Sequence, residues 1–273
     1  MFQDARIYQI LFLSLFLLVG IVTRDWTLHL SLIATAIATC LGSQWLMTRL
    51  TQQSFTQSLP SALITALGMS LLLRADDYTT ILLACSAAIA SKFVLRIGEK
   101  HLFNPGNFGI VMALLLTSDA WVSPGQWGEE GWYAVLFLAT GGFVLERVGR
   151  RDTTIAFLVM YSGLEAMRNL YLGWTWDVWG HRLMNGSLLM FSLFMITDPR
   201  TIPNSQMGRV IWASAIALLT FILRNQFFIS TAPFWALFAL APLGLVIDQV
   251  LPDSRFSWKQ CAATTTTTEP LSI

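Results

Sequence analysis

The chain has 273 residues, of which 55% are hydrophobic and 12% charged, and its formal net charge is +1. That composition leaves too little polar surface for a soluble domain and defines a polytopic membrane protein. No Lys/Arg block points to nucleic acid or another polyanion. Cys40 and Cys85 fall in apolar runs and Cys261 in the tail, which gives neither a disulfide framework nor a metal-type spacing.

Arg6 precedes the first apolar run and no small-residue cleavage pattern follows, so the N-terminus reads as a first transmembrane helix and not a removed signal. Apolar segments then lie at about 7–22, 27–47, 59–73, 79–97, 106–117, 131–147, 153–172, 183–197, 208–223 and 233–250, ten in all. A full crossing takes about 20 residues. The segments ending at Leu73, Thr117 and Thr197 fall short of that and read as half-helices, tilted short spans or re-entrant elements. Beyond Lys259, Cys261-Ala262-Ala263 and the run Thr264–Thr268 have no apolar period and read as a disordered cytoplasmic tail.

Two proline-broken turns interrupt this pattern, Phe103-Asn104-Pro105-Gly106-Asn107-Phe108-Gly109 and Thr197-Asp198-Pro199-Arg200-Thr201-Ile202-Pro203. Each follows an apolar run and abuts another, placing polar backbone at or near membrane depth. Such backbone persists only where protein buries it or where it lines a cavity. Paired breaks in corresponding places of two halves point to a site between inverted repeats. The halves do run in parallel. Ala62–Leu73, then Arg74-Ala75-Asp76-Asp77, then Ile81–Val94 matches Met184–Ile196, then Thr197-Asp198-Pro199, then Val210–Ile222. The expected fold is therefore an all-α integral membrane protein of about ten transmembrane segments in two inverted five-helix repeats with broken or short helices. Its first repeat with the outer loop would occupy 1–130, the second repeat 131–252 and the tail 253–273.

With the N-terminus inside, Arg6, Arg49, Lys92, Arg96, Lys100, Arg147, Arg150, Arg151, Arg200, Arg209, Arg255 and Lys259 fall on the cytoplasmic side. Arg24, Arg74, Arg168, Arg182 and Arg224 fall on the other, a bias that places both termini in the cytoplasm. The outer loop Ser118–Glu130 carries Asp119, Glu129 and Glu130 and no basic residue. Trp26, Trp121, Trp127, Trp132, Trp174, Trp176, Trp179 and Trp235 cluster toward the outer interface as an aromatic belt.

Chemically, a half-helix N-terminus offers free N–H groups and partial positive charge to a carbonyl or anionic edge. Asn104 and Asn107 donate and accept, while Gly106 and Gly109 permit close backbone approach. The candidate cofactor-binding residues are Asn104, Pro105, Gly106, Asn107, Thr197, Asp198 and Thr201. Two readings stay open at this stage, ligand contact and simple capping of helices beside prolines. Asp198 needs a partner if it lies at membrane depth, and Arg200 and Arg209 are the nearest in sequence; Glu165 has Arg168 at i+3. The small residues of Ala84–Ser91 and Gly141-Gly142 suit close helix packing. His29, His101 and His181 show no axial-ligand pairing for a haem, and His101 reads as a loop residue.

Leu63–Leu73, Phe103-Asn104-Pro105, Gly186 through Phe194, Met195-Ile196-Thr197-Asp198-Pro199 with Pro203 and Gly208-Arg209, and Ala241-Pro242-Leu243 before Asp248 together resemble the NqrB/RnfD family. These are membrane subunits of the sodium-translocating NADH:quinone oxidoreductase and of the Rnf electron transport complex. The resemblance runs roughly from Leu59 to Gln249. It implies ten helices in two inverted repeats, a flavin, partner electron-transfer subunits, electrons passed toward a quinone or a partner subunit, and coupling to ion transport in a bacterial cytoplasmic membrane. It also implies a subunit and not a self-sufficient enzyme, since no Gly-x-Gly-x-x-Gly follows a strand and no cysteine set suits an iron–sulfur cluster.

The family's covalent FMN hangs on the Thr of an Asp-x-x-Ser-Gly-Ala-Thr type motif. The corresponding loop here reads Asp119-Ala120-Trp121-Val122-Ser123-Pro124-Gly125-Gln126-Trp127, with Gln126 where the Thr should be. An amide cannot form the phosphoester, so covalent FMN is not expected, and a noncovalent riboflavin or FMN is. Two other classes remain open, a transporter or permease on the same scaffold and a cofactor-free membrane scaffold protein. Fold alone does not choose among them.

Overall fold

The computed structural model describes residues 4–23, 29–124 and 132–256, with the side chains of Thr23 and of residues 132–134 excepted. Gln126, Trp26, Trp127, Arg24, Glu129, Glu130 and the expected tail beyond Phe256 lie outside the described residues.

Twelve helices make up the described chain: α1 (Ala5–Thr23), α2 (Leu30–Leu50), α3 (Phe55–Leu72), α4 (Tyr78–Val94), α5 (Pro105–Leu116), α6 (Trp132–Val148), α7 (Arg151–Tyr171), α8 (Trp176–Leu183), α9 (Gly186–Met190), α10 (Gln206–Gln226), α11 (Ala232–Leu240) and α12 (Leu243–Val250). α9 continues as a π-helical turn over Phe191–Met195. Four helices are long and apolar enough to cross a membrane, α1, α2, α3 and α10; α11 and α12 form a fifth such element bent by 47°. The remaining apolar helices, α4, α5 and Gly186–Met195, are shorter.

Two sequence expectations change. α3 begins at Phe55, ahead of Pro60, and reaches 18 residues, so the segment ending at Leu73 is long enough to span. The expected single segment 233–250 is two helices broken at Ala241-Pro242, because proline cannot donate to the helix ladder and clashes with the preceding turn. The carbonyl of Leu240, freed at that break, is taken up by the Trp212 indole at 2.8 Å. The segments ending at Thr117 and Thr197 are short as expected, 12 residues in α5 and Gly186–Met195 before Thr197.

α2 packs on α3 and α4, and α4 on α5; α7 packs on α10, and α10 on α11. α7 and α10 run parallel. Asp152 meets Arg209 near their starts at 2.6 Å, and Glu165 meets Asn225 near their ends at 2.9 Å. α2 and α4 also advance together, with Ser31 bonded to Tyr78 at 3.0 Å and Ser43 to Ser86 at 3.4 Å. Two short antiparallel ladders tie the loops. Leu73–Arg74 pairs with Trp121–Val122, and Arg96–Ile97 pairs with Lys100–His101 around Gly98 at φ +62°. The first tie is reinforced by Asp119, which takes the Thr80 hydroxyl at 2.7 Å and the backbone N–H of Asp77 at 2.9 Å; these bonds, the hydroxyl first, hold its carboxyl below the usual range.

The core is one continuous, mainly aliphatic cluster with aromatic contacts in it, Phe16 stacked on Phe137 at 4.0 Å and Phe191 edge-on to Phe234 at 5.6 Å. Cys40 and Cys85 are buried free thiols, one on each of the parallel helices α2 and α4. The small-residue run of α4 does what its composition suggests. A Cβ on Gly109 would stand 2.5 Å from the Ala84 carbonyl oxygen and 2.8 Å from Ala88 Cβ. Gly141 is likewise pressed against Leu193 at 2.8 Å, whereas Gly142 faces open space. Gly106 differs from Gly109, since its Cβ would meet only ordinary contacts at 3.5 and 3.6 Å. Gly109→Ala should therefore destabilise by about 1–3 kcal/mol through overpacking on α4. Gly106→Ala should change the melting temperature in detergent little, and equal melting of the two variants would contradict this packing.

Candidate functional site

The two proline-broken turns meet. Asn104 caps α5, its Oδ1 accepting from the Asn107 N–H at 3.0 Å with Pro105 in the first helical turn, where the missing donor costs nothing. The amide nitrogen of Asn104 reaches across to the second turn, donating to the Met195 carbonyl at 3.2 Å and to Asp198 Oδ2 at 3.4 Å. The backbone N–H of His101 donates to the Arg200 carbonyl at 3.0 Å, a second stitch between the same segments. Capping and bridging are thus performed by one side chain, and the cap alone accounts for only half of what Asn104 does.

The second turn is built by the end of the Gly186–Met195 helix. Asn185 caps its start with bonds from the Ser187 and Leu188 N–H groups. The wider π turn at Phe191–Met195 then delivers Thr197 and Asp198 to the junction. Thr197 donates its hydroxyl to Leu193 O at 2.9 Å, and Asp198 Oδ1 accepts the Arg200 N–H at 3.1 Å.

A cavity of about 1360 Å³ opens at this junction, well above the roughly 300–1,000 Å³ of an ordinary small-ligand site. Asn104, Pro105, Gly106, Thr197 and Asp198 line it. Asn107 and Thr201 do not. Asn107 points its amide to Phe234 O at 3.1 Å, and Thr201 turns its hydroxyl back to Asp198 O at 3.0 Å. Both support the wall from behind. Apolar wall comes from Leu13, Phe93, Leu145, Leu193 and Phe194.

The charges on the lining are unbalanced. Arg6, Lys92, Arg96, Lys100, Arg200 and Arg255 face Glu99, Asp198, Asp248 and Asp253. All six cations belong to the set that the positive-inside bias assigns to the cytoplasmic side. Lys100 is paired with Asp248, which also accepts the Asn204 N–H at 2.8 Å.

Two buried polar atoms on the lining have no hydrogen-bond partner, Gln44 Oε1 on α2 and His101 Nδ1 in the loop before α5. Burial, with Arg200, Lys92 and Arg96 adding positive charge nearby, pushes the His101 imidazole down to about 3, so it is neutral at physiological pH and Nδ1 is available. Buried acceptors left unpaired are costly, and on a cavity wall they are open to a donor from water or from a ligand. A flavin carries an N–H flanked by two carbonyls, together with a flat apolar ring system. Unpaired acceptors, the Asn104–Asp198 pair and an aromatic–aliphatic wall form a chemically suitable set for it. The sequence placed Lys92 on the cytoplasmic side and His101 in a loop but gave neither a role in the site, and Gln44 drew no expectation. A glutamine and a lysine inside apolar helices were the available signal.

Two ionic expectations are corrected. Arg209 does not serve Asp198; its guanidinium pairs with Asp152 at 2.6 Å and bonds the Asn204 carbonyl. Arg168 does not serve Glu165; it lies over the Trp174 ring at 4.7 Å. Glu165 instead takes Arg182 from α8 at 2.9 Å, the Tyr161 hydroxyl at 2.9 Å and the Asn225 amide at 2.9 Å, while Arg224 donates to Tyr161 at 3.0 Å.

At the loop expected to resemble the covalent flavin site, Ser123 is buried and its N–H donates to Leu72 O at 2.8 Å. The Thr117 hydroxyl donates back to Ala113 O at 2.9 Å.

Short and broken apolar helices around this junction define a multi-pass membrane protein. Residues 111–256, slightly over half of the chain, match the NQR2, RnfD, RnfE family, and the protein belongs to it. Its members are FMN-binding membrane subunits of ion-translocating oxidoreductase complexes. No curated protein matches the chain.

Proposed function

We propose that the protein is a membrane electron-transport subunit of the RnfD/NqrB type that binds riboflavin or FMN noncovalently in the cavity where the two proline-broken turns meet. One observation carries this: Asn104 joins both turns at a cavity whose wall holds two unpaired buried acceptors, Gln44 Oε1 and His101 Nδ1. One of Gln44 and His101 would accept from the flavin N–H and the other from a hydroxyl of its side chain, Asn104 and Asp198 would fix its position, and Phe93, Leu145, Leu193 and Phe194 would exclude water from its ring. A bound flavin supplies one- and two-electron transfer; the chain supplies binding, orientation and field.

The repeated pairing, α2 on α4 and α4 on α5 against α7 on α10 and α10 on α11, supports two inverted five-helix repeats over 1–130 and 131–252. The gathering of Arg6, Lys92, Arg96, Lys100, Arg200 and Arg255 on one cavity supports its opening toward the cytoplasm, with both termini on that side. Electrons then come from a partner subunit and pass to another carrier or a quinone, coupled to ion movement as in the family.

The test is the visible spectrum of protein purified in mild detergent, followed by acid precipitation. Flavin released to the supernatant at about one per chain is the expected result. Colour retained in the pellet would place a covalent flavin on the protein despite Gln126. A protein that stays colourless after riboflavin and FMN are added would overturn the electron-carrier reading and leave transport or scaffolding.

A further inference from the structure

Lys92 is the most demanding group on the cavity wall. It sits in the small-residue helix α4 with 6% of its surface exposed. Its Nζ donates to the Ser61 carbonyl and to the Ser61 hydroxyl, both at 3.1 Å. No carboxylate among the described residues lies within ion-pair distance of it. An ammonium carries three donors, and two neutral oxygens use two of them without compensating the charge. A buried ion left so is expensive in any protein and more so at membrane depth.

The carboxylates of the lining make no direct pair with it, although the negative charge of Asp198 gives it partial compensation from beyond ion-pair distance. Asp198 spends Oδ1 on the Arg200 N–H and Oδ2 on the Asn104 amide. Asp248 is held by Lys100 and by the Asn204 N–H. Arg96, Arg200 and Arg255 stand exposed on the same lining beside the exposed Glu99 and Asp253, and Arg6 is paired with Asp4, which leaves the wall a small positive surplus.

We propose that the cavity is built for an anionic ligand with the Lys92 ammonium, presented by Ser61, as its buried anchor, so that it takes a phosphate-bearing flavin in preference to a neutral one. A phosphomonoester brings about −1.5 to −2 charge and three acceptor oxygens, which meets both the spare donor of Lys92 and the positive surplus of the wall. The choice of flavin rests on the function proposed above; the demand for an anion rests on Lys92 alone.

The experiment uses the full chain in nanodiscs of neutral phosphatidylcholine, which removes anionic lipid as a rival source of phosphate. FMN and riboflavin are titrated separately and followed by flavin fluorescence quenching, with inorganic phosphate titrated calorimetrically. The wild type is expected to bind FMN at least about tenfold more tightly than riboflavin. Lys92→Met should bring that ratio to near one, and Lys92→Arg should keep it. Equal affinity for the two flavins in the wild type would overturn the anion anchor and leave the flavin reading standing. Binding of neither flavin, with phosphate bound by the wild type and lost in Lys92→Met, would remove the flavin reading and uphold the anchor. Absence of phosphate binding as well would overturn both. Should Lys92→Met fail to fold, the wild-type ratio decides the question by itself.

Discussion

Glu165→Gln is expected to destabilise the protein by about 3–5 kcal/mol, the cost of stripping one partner from a buried ion pair. The glutamate side chain is 1% exposed and holds Arg182, Tyr161 and Asn225 together at 2.9 Å each. Neutralising it leaves the Arg182 guanidinium without its counter-charge, while the neutral bonds of Trp179 to the Ser162 carbonyl at 3.0 Å and of Arg182 to Asn225 Oδ1 at 2.8 Å still tie α8 to α7 and α10. The exposed pair Arg151–Glu146, 68% and 67% exposed, is the built-in control, and Glu146→Gln should cost no more than about 1 kcal/mol. Thermal unfolding in one detergent compares the two directly. A double-mutant cycle of Glu165→Gln with Arg182→Met separates their coupling from side-chain loss. Similar melting of Glu165→Gln and Glu146→Gln would show that the network contributes nothing beyond a surface pair.

Asn104→Ala should weaken flavin binding by about tenfold or more, a loss of roughly 1.4 kcal/mol or greater. It should also cost about 1 kcal/mol of stability through the lost α5 cap. The binding loss comes from the other end of the side chain, where the amide joins Met195 and Asp198 across the junction. Thr201→Val serves as the comparison. Thr201 is buried behind the wall and bonds only Asp198 O, so flavin affinity should stay within about threefold. Titration of riboflavin into both variants checks this, and equal losses would mean that the junction acts only as a structural knot.

Local sequence chemistry made the junction legible. Asn before Pro at the head of an apolar run foretold the cap and first turn of α5, and the Thr197-Asp198-Pro199 sequence foretold where the preceding short helix ends. The small residues Ala84–Ser91 foretold close helix packing but not its partner, which is Gly109, a glycine that the sequence offered for close approach at the turn; Gly106 has no such constraint. What a linear reading could not supply was pairing over distance. It offered Arg168 to Glu165 by helical spacing and Arg209 to Asp198 by proximity, yet the fold pairs Glu165 with Arg182, 17 residues away, and Arg209 with Asp152, 57 residues away. α8 escaped notice because eight residues rich in Trp and charge carry no apolar segment of their own. The break between α11 and α12 was masked by continuous hydrophobicity on both sides of Pro242. The unpaired acceptors at Gln44 and His101 exist only once α2 and the two turns are brought together.

The most direct test of a flavin at the junction is a cryo-EM map of the full chain after saturation with FMN. The account predicts planar density in the cavity between Asn104, Asp198 and Gln44, with its phosphate toward Lys92. Density attached instead to the outer loop around Ser123, with the junction cavity empty, would contradict it.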